Sequence, residues 1–363
     1  MGQWAHPRTS VVIDLAALNH NLDQVRSNAP NSRVMAVVKA DAYGHGASRV
    51  AKAIDNKVDG FGVASIEEGI ALRGSGVQSP IIVLSSFDAR DEVAALSDFD
   101  LIPVVHCIEQ LHGLLRELNR SLDVWLKVDS GMHRLGLTAG EYNYCTEKLV
   151  ACQHVREVCV MSHLAKADDS NDDTTQNQLQ YFLHHTIDTQ QRSLANSAGI
   201  LAWPETHLDW VRPGLMLYGG SPVKGKSAKG LKLKPVMTFK SKLIAIKQLR
   251  KGDAIGYGGD WVCPLDMQVG VVACGYGDGY PRHVDRETPA LLNGKYAAII
   301  GRVSMDTMSI DLRKQADARV GDEVVLWGDE LPVDKIAQHA ETIPYELLTS
   351  VSSRVPHVEI NGG

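Results

Sequence analysis

Runs of apolar, often β-branched residues recur through the first 220 positions: VMAVV (34–38), FGVA (61–64), IIVLS (81–85), LIPVV (101–105), VWLKV (124–128), EVCVMS (157–162), SLANS (193–197) and VRPGLMLYG (211–219). Their apolar residues are continuous rather than alternating, which predicts strands buried on both faces. Between them lie helix-like patterns such as EEGIALRG and DEVAALSD, often ending at Gly or Pro. Strands that alternate with helices imply a parallel sheet. Eight such units predict an α/β chain that begins with a (β/α)8 barrel. A doubly wound sheet is the competitor, but it announces itself with a glycine fingerprint after the first strand, and none follows here.

After about Leu233 the texture changes. TFKSKLIAIKQL, MQVGVVACG, YAAIIGRVSMDTMSID and EVVLWG read as strands parted by glycine-rich turns, with few long helical patterns. The division expected is a barrel over residues 1–232 and a mainly β domain over 233–363. Asp168–Asp173 places four Asp in six residues. That reads as a solvated loop, with a divalent-cation site as the alternative.

Composition narrows the class. With 363 residues, 44% of them hydrophobic, the chain can build a sizeable core in two domains. A net charge of −6 without a long basic run argues against nucleic acid as a partner. Six scattered cysteines form no C-x-x-C pair, which argues against structural zinc and suggests reduced thiols in a cytoplasm. No apolar core follows the N-terminus and no run reaches about 18 apolar residues, so neither a signal peptide nor a membrane span is expected.

The chemistry gathers at strand ends. AVVKADAYGHG (36–46) delivers Lys39 as the first run closes, with Asp, Tyr and two glycines behind it. Lys127 ends the fifth run, and Arg134 follows it in KVDSGMHRLG. His163 ends the sixth, Asn196 and Ser197 the seventh, and Arg212 and Gly214 belong to the eighth. Barrels of this kind place their active sites at the C-terminal ends of the strands, often with a phosphate held by the loops after strands seven and eight. NSAG (196–199) and RPG (212–214) supply small residues there, which let backbone N–H groups approach an anion. Each residue also has a plain reading. Lys39 could be a snorkelling lysine, His163 a bonded core histidine, Lys127 and Asp129 an ion pair, and Arg212 a clamp on Asp209. Those accounts are needed one by one, whereas a single phosphate-bearing carbonyl compound explains the set. Lysine forms Schiff bases with carbonyls, and pyridoxal 5'-phosphate combines an aldehyde with a phosphate.

AVVKADAYGHG closely resembles the pyridoxal-phosphate signature of bacterial alanine racemases. The resemblance continues through LKVDSGMHRLG, SHLAKAD, ANSAGIL, DWVRPGLMLYG, IGYGGDW, GYGDGYPR, GRVSMD and PYELLTSVSSRVP, in the family's order from residue 34 to 356. It implies a barrel followed by a β domain. It implies that Lys39 carries the cofactor and is one of two catalytic bases, with Tyr257 the other on the opposite face. Tyr43, Ser197, Gly214, Leu215 and Tyr345 match positions that hold the phosphate, and His163 and Asn196 join the cofactor-binding set. Arg212 matches the arginine facing the pyridine nitrogen. Arg134 matches the one that holds the substrate carboxylate, Met305 a backbone contact to substrate, Asp306 its neighbour and Tyr276 an entrance tyrosine. Lys127 falls where many members carry a carbamylated lysine. Ser193 departs from the pattern, standing where some members place a histidine bonded to the pyridine-facing arginine. The resemblance implies no metal.

The implied reaction interconverts L- and D-alanine, either supplying D-alanine for cell-wall peptidoglycan or catabolising it. Racemisation removes the Cα proton from one face and returns it to the other, so two bases flanking a planar carbanion suffice. An arginine, always protonated, donates to the pyridine nitrogen and leaves it unprotonated. That weakens the electron sink and limits escape into transamination. The family also implies a head-to-tail homodimer in which each β domain closes the partner's barrel. Two rivals remain. Amino-acid decarboxylases of the same fold and cofactor use a cysteine and an acidic residue where IGYGGDW offers a tyrosine. Small non-catalytic carriers of the cofactor lack the second domain.

Overall fold

In a computed structural model describing residues 7–85, 87 and 92–362, the eight apolar runs form one closed barrel of parallel strands. The strands are Arg33–Val37, Gly60–Val63, Ile81–Val83, Leu101–Val105, Leu122–Lys127, Val155–Met161, Arg192–Asn196 and Trp210–Arg212. Val34 stands opposite Val211, which joins the eighth strand to the first. Every residue of Gly60–Val63, Ile81–Val83 and Leu101–Val105 is buried, as continuous apolar runs require. Met35, Ile82, Ile102, Trp125, Cys159 and Trp210 pack into one cluster, with the Trp125 and Trp210 rings edge to face at 5.8 Å. The helices follow the expected patterns: EEGIALRG lies in Ile66–Gly74 and DEVAALSD in Val93–Asp98. Residues 1–6, read above for a leader, and Asp91 of the second pattern lie outside the described residues.

The β unit is built on one long strand, Met237–Leu249. Its second half pairs with Met267–Val272, and the pairing then runs through Met308–Asp311, Lys295–Ile300, Pro289–Leu292 and Glu323–Trp327 back to the long strand. Six strands thus close on themselves. Two more extend the sheet: Thr9–Asp14 lies antiparallel to the long strand, and His357–Ile360 parallel to Thr9–Asp14. The described residues up to Leu18 therefore cluster with Tyr218–Gly220 and Lys234 onward, while Asn19–Leu217 and Ser221–Leu233 form the barrel unit. This differs from a division at 232/233. SVVID is a short apolar run whose partner, Met237–Ser241, lies more than 200 residues away, so nothing local marks its side. Pro289–Leu292 and the helices Val333–His339 and Pro344–Thr349 were likewise absent from the sequence reading.

All six cysteines are free thiols. No helix among the described residues is long and apolar enough to cross a membrane. In the aspartate-rich segment, Asp172 pairs with Lys166 at 2.7 Å and Asp169 with Lys224 at 3.2 Å. Lysines supply the positive charge there.

Candidate active site

The first barrel strand stops at Val37, so Lys39 opens a turn rather than ending a strand. Ala40, Asp41, Ala42 and Tyr43 hold φ between 51° and 54° and ψ between 44° and 52°, one turn of left-handed helix. None is glycine, and such backbone costs about 1–2 kcal/mol per residue. It persists because hydrogen bonds surround it. Ala42 N–H donates to Val38 O at 2.8 Å and Gly46 N–H to Asp41 O at 2.9 Å. Asp41 Oδ1 accepts from Ala47 N–H at 2.6 Å, and the His45 ring Nδ1 lies 2.9 Å from Tyr43 O. The Lys39 amine is half-buried at the head of this turn. Burial, then Arg134 and Arg212, lowers its pKa, while Glu68 opposes them.

Arg212, 5% exposed, is fixed by acceptors on three sides. One Nη donates to Ser193 Oγ at 2.6 Å. The other donates to Ser162 O at 2.6 Å and Leu194 O at 3.3 Å, and points to His163 Nδ1 at 3.5 Å. Asp209, the alternative partner, instead accepts from Arg192 N–H at 2.8 Å. The Ser193 hydroxyl itself donates to Trp210 O at 2.9 Å. The hydroxyl that replaces a histidine in the pattern therefore still supports the arginine. Burial lowers Arg212 to about 10. His163 is driven well below its ordinary value by burial first and then by Arg212, Lys127, Arg134 and Lys39, so its imidazole is neutral.

The loops after strands seven and eight lock together. Asn196 Oδ1 accepts from Gly199 N–H at 3.0 Å and caps Ser197–Ala202. Ser197 Oγ accepts from Gly214 N–H at 2.8 Å and Met216 N–H at 3.3 Å. A Cβ on Gly214 would stand 2.6 Å from the Tyr43 hydroxyl, so only glycine lets that phenol sit down on the loop. Leu215 is buried behind it. Tyr43, Ser197 and Gly214 thus meet in one cradle.

Lys127 is 9% exposed at the end of strand five. Burial, Arg212, Arg134 and Lys39 lower it to about 8, and Asp129 is the last and smallest influence. Asp129 is occupied elsewhere, accepting from Gly131, Met132 and His133 N–H groups at 2.9–3.1 Å. Arg134 is exposed on the same loop. Four cationic side chains and a neutral imidazole therefore influence one another in this mouth, an arrangement suited to anions.

The β unit carries the other candidates by itself. Tyr257 sits between glycines at the tip of a hairpin formed by Ala254–Ile255 and Trp261–Val262, and is 69% exposed. Tyr276, Met305 and Tyr345 are also exposed apolar residues. Tyr276 and Met305 lie on adjoining loops: Tyr276 N–H donates to Ser304 O at 3.1 Å and Gly277 N–H to Met305 O at 2.8 Å. A Cβ on Gly275 would fall 2.2 Å from Ser304 O, so GYGDG needs its first glycine for contact. Beneath them Asp278, 2% exposed, accepts from Gly275 N–H at 2.9 Å and Arg354 Nε at 2.8 Å, with Arg8 3.6 Å away. Arg354 also reaches Asp306 at 2.8 Å. Arg354 lies within SVSSRVP, yet neither it nor Asp278 was picked out from sequence. Nor was Glu68, whose carboxylate accepts from Ala40 and Ala64 N–H groups at 2.7 and 2.6 Å. Its only sequence signal, S-x-x-E at 65–68, reads as an ordinary helix cap.

Comparison with known proteins bears on both units. Residues 13–222 match the family described as alanine racemase, N-terminal domain, and residues 236–359 the one described as alanine racemase, C-terminal domain. Alanine racemases of Vibrio parahaemolyticus and Nitrosococcus oceani are 48% and 49% identical, over 94% and 95% of this chain and 96% and 97% of theirs. The crystal structure of biosynthetic alanine racemase from Pseudomonas aeruginosa superposes with a TM-score of 0.95 at 42% identity, covering 98% of this chain and all of that one. That of Acinetobacter baumannii gives 0.93 at 36%, with the same coverage. The chain belongs to the alanine racemase family, and it is an enzyme of the isomerase class.

Proposed function

We propose that the chain interconverts L- and D-alanine with pyridoxal 5'-phosphate held in the barrel mouth. The observation that carries this reading is Lys39 itself. It is a lysine with a lowered pKa, aimed by a left-handed turn, in a mouth with Arg212 and Arg134. The residues fit the cofactor by the chemistry of their donors: a cationic mouth suits a phosphate, and the Tyr43–Ser197–Gly214 cradle is small and polar. Lys39 would hold the aldehyde covalently, Tyr43, Ser197, Gly214, Leu215 and Tyr345 would hold the phosphate, and Asn196, His163 and Arg212 would position the ring. When bound, the cofactor withdraws electrons from the substrate Cα and makes its proton acidic.

The side chains then divide the work. Lys39 Nζ takes or returns the Cα proton on one face and Tyr257 Oη on the other. Burial favours the neutral amine that a base requires. Arg134 holds the α-carboxylate that both enantiomers share, with Met305 beside it. Arg212 keeps its proton and donates to the ring nitrogen, and its fixed geometry supports that role. Lys127 becomes a carbamate: with its pKa lowered to about 8, a usable fraction of the amine is neutral and adds carbon dioxide with release of a proton to solvent, and the resulting anion relieves the crowding of cations. Tyr257, Tyr276, Met305, Asp306 and Tyr345 act from the partner chain of a head-to-tail homodimer, which would cover their exposed surfaces. The setting is the cytoplasm, where the six thiols stay reduced.

Polarimetry of L-alanine incubated with the protein, with carbon dioxide release followed in parallel, tests the reaction. Decay of rotation to zero without gas is expected. Gas release would indicate a decarboxylase, and an unchanged rotation a carrier.

A further inference from the structure

Glu68 occupies the third position of helix Ile66–Gly74, where Ser65 caps the start. Ser65 Oγ accepts from Glu68 N–H at 3.5 Å, the first half of a capping box. The second half would return the Glu68 carboxylate to the Ser65 N–H. Instead one oxygen accepts from Ala64 N–H at 2.6 Å and the other from Ala40 N–H at 2.7 Å. Ala64 follows the second barrel strand, and Ala40 is the first residue of the left-handed turn, next to Lys39. One half-buried carboxylate therefore ties two neighbouring strand ends together with two short charge-assisted bonds. Nothing in the helix itself requires this.

We infer that Glu68 is a positioning residue for Lys39, stapling the left-handed turn to the second strand so that the lysine enters the barrel mouth at one angle. The physical reason is that four non-glycine residues at positive φ stay there only when their surroundings over-determine them. Ala40 N–H, at the entry to the turn, is the donor whose release lets Lys39 swing. A glutamine in place of Glu68 keeps size and one acceptor but turns an NH2 group toward one of the two N–H donors. An aspartate keeps the charge and is one methylene too short to bridge both. Burial of Lys39 and the nearby Arg134 and Arg212 are unchanged in either variant.

The inference rests on Lys39 as the cofactor lysine, and its test separates the two. Amide hydrogen exchange is followed in the cofactor-free protein over residues 38–46 and 62–66, for the parent, Glu68→Gln and Glu68→Asp. Exchange is expected to quicken roughly tenfold or more in both segments of Glu68→Gln, which loses the charge-assisted bond to each amide, and in at least one of the two segments of Glu68→Asp, which cannot bridge both, with the β unit unchanged. The holoprotein is then reduced with borohydride, and the label on Lys39 is expected to form several-fold more slowly in the variants during reloading with pyridoxal phosphate. Unchanged exchange and unchanged loading in Glu68→Gln would overturn the positioning role. A parent protein that takes no label on Lys39 would instead overturn the cofactor assignment, whatever the exchange shows. Should Glu68→Gln not fold, Glu68→Asp carries the same comparison.

Discussion

In the barrel mouth Arg212 is 5% exposed and Lys127 9%, and burial lowers the pKa of both. On the β unit Tyr257 is 69% exposed and Met305 53%, beside an exposed Tyr276 and Tyr345. The mouth is rich in positive charge, because four cationic groups influence one another there and two of them, Arg212 and Lys127, are buried. The β-unit loops present aromatic and thioether side chains exposed on turns. The two features differ in kind. Under the proposed function a phosphate, a carboxylate and a carbamate would answer the first, and an apolar surface of the partner chain the second.

The sharpest way to break this comparison is to ask whether the two features meet within the same chain. Lys39→Ala and Tyr257→Phe should each lower turnover by about a thousandfold or more, since each removes one of the two bases proposed to act on opposite faces of Cα. Tyr257→Phe should also lose Cα–deuterium exchange from one enantiomer far more than from the other. Mixing the two inactive chains and allowing subunits to exchange should restore up to about a quarter of wild-type activity by symmetry counting. Half the dimers would then hold one intact site of two. If Tyr257 served the mouth of its own chain, every site would keep one defect and no activity would return.

The next effect separates exposed function from buried support within the β unit. Tyr276 and Met305 are open to solvent, but the Asp278 carboxylate beneath them is buried between Arg354 and Arg8. Asp278→Ala removes the buried acceptor of Gly275 N–H and leaves Arg354 and Arg8 to the exposed Asp306, and should destabilise the protein by about 2–4 kcal/mol, the exposed arginines contributing little of it. Its urea midpoint would show this directly. In the barrel, Ser193→Ala removes one acceptor from Arg212 but leaves Ser162 O and Leu194 O in place. The expected cost is smaller, about 1–3 kcal/mol, with recovery in Ser193→Thr because the hydroxyl returns. Equal losses in Ser193→Ala and Asp278→Ala would erase the distinction between a shared support and a single one.

These residues also show what a sequence can disclose. The barrel strands were legible because burial on both faces leaves continuous apolar runs, as in LIPVV, where every residue is buried. Thr9–Asp14 was not, since its place in the β unit depends on a partner strand at the far end of the chain. KADAY itself carries no glycine, so its left-handed twist is imposed by Val38, Asp41, His45 and Glu68 rather than by local preference. Strand-end position points to Lys39, Lys127, Arg134, His163, Asn196, Ser197, Arg212 and Gly214, and motif resemblance adds their roles and the β-unit residues, but neither gives the bonds that aim them. Glu68 stayed hidden because S-x-x-E already has a local explanation, and Asp278 because an aspartate between glycines reads as a turn.

The smallest effect concerns how the mouth holds its charge as pH changes. His163 is neutral in the fold, its pKa pushed well below the ordinary value by burial and by Arg212, Lys127, Arg134 and Lys39. In the unfolded chain it titrates near 6.5. Below that pH the unfolded state binds a proton that the folded state refuses, so stability must fall as pH falls and must level off above it. One such histidine contributes a slope of at most about 1.4 kcal/mol per pH unit. His106, also lowered by burial and by Lys127, adds to the same limb. Unfolding midpoints of cofactor-free protein between pH 4 and 8 should therefore drop below pH 6.5, and His163→Gln should flatten part of that drop while His106 keeps the rest. Among the described residues no histidine of the β unit is buried, so the drop is expected to originate in the barrel. An unaltered slope in His163→Gln would mean that the imidazole takes up its proton in the fold as readily as in the unfolded chain, so that below pH 6.5 the mouth would carry one more positive charge beside its lysines and arginines.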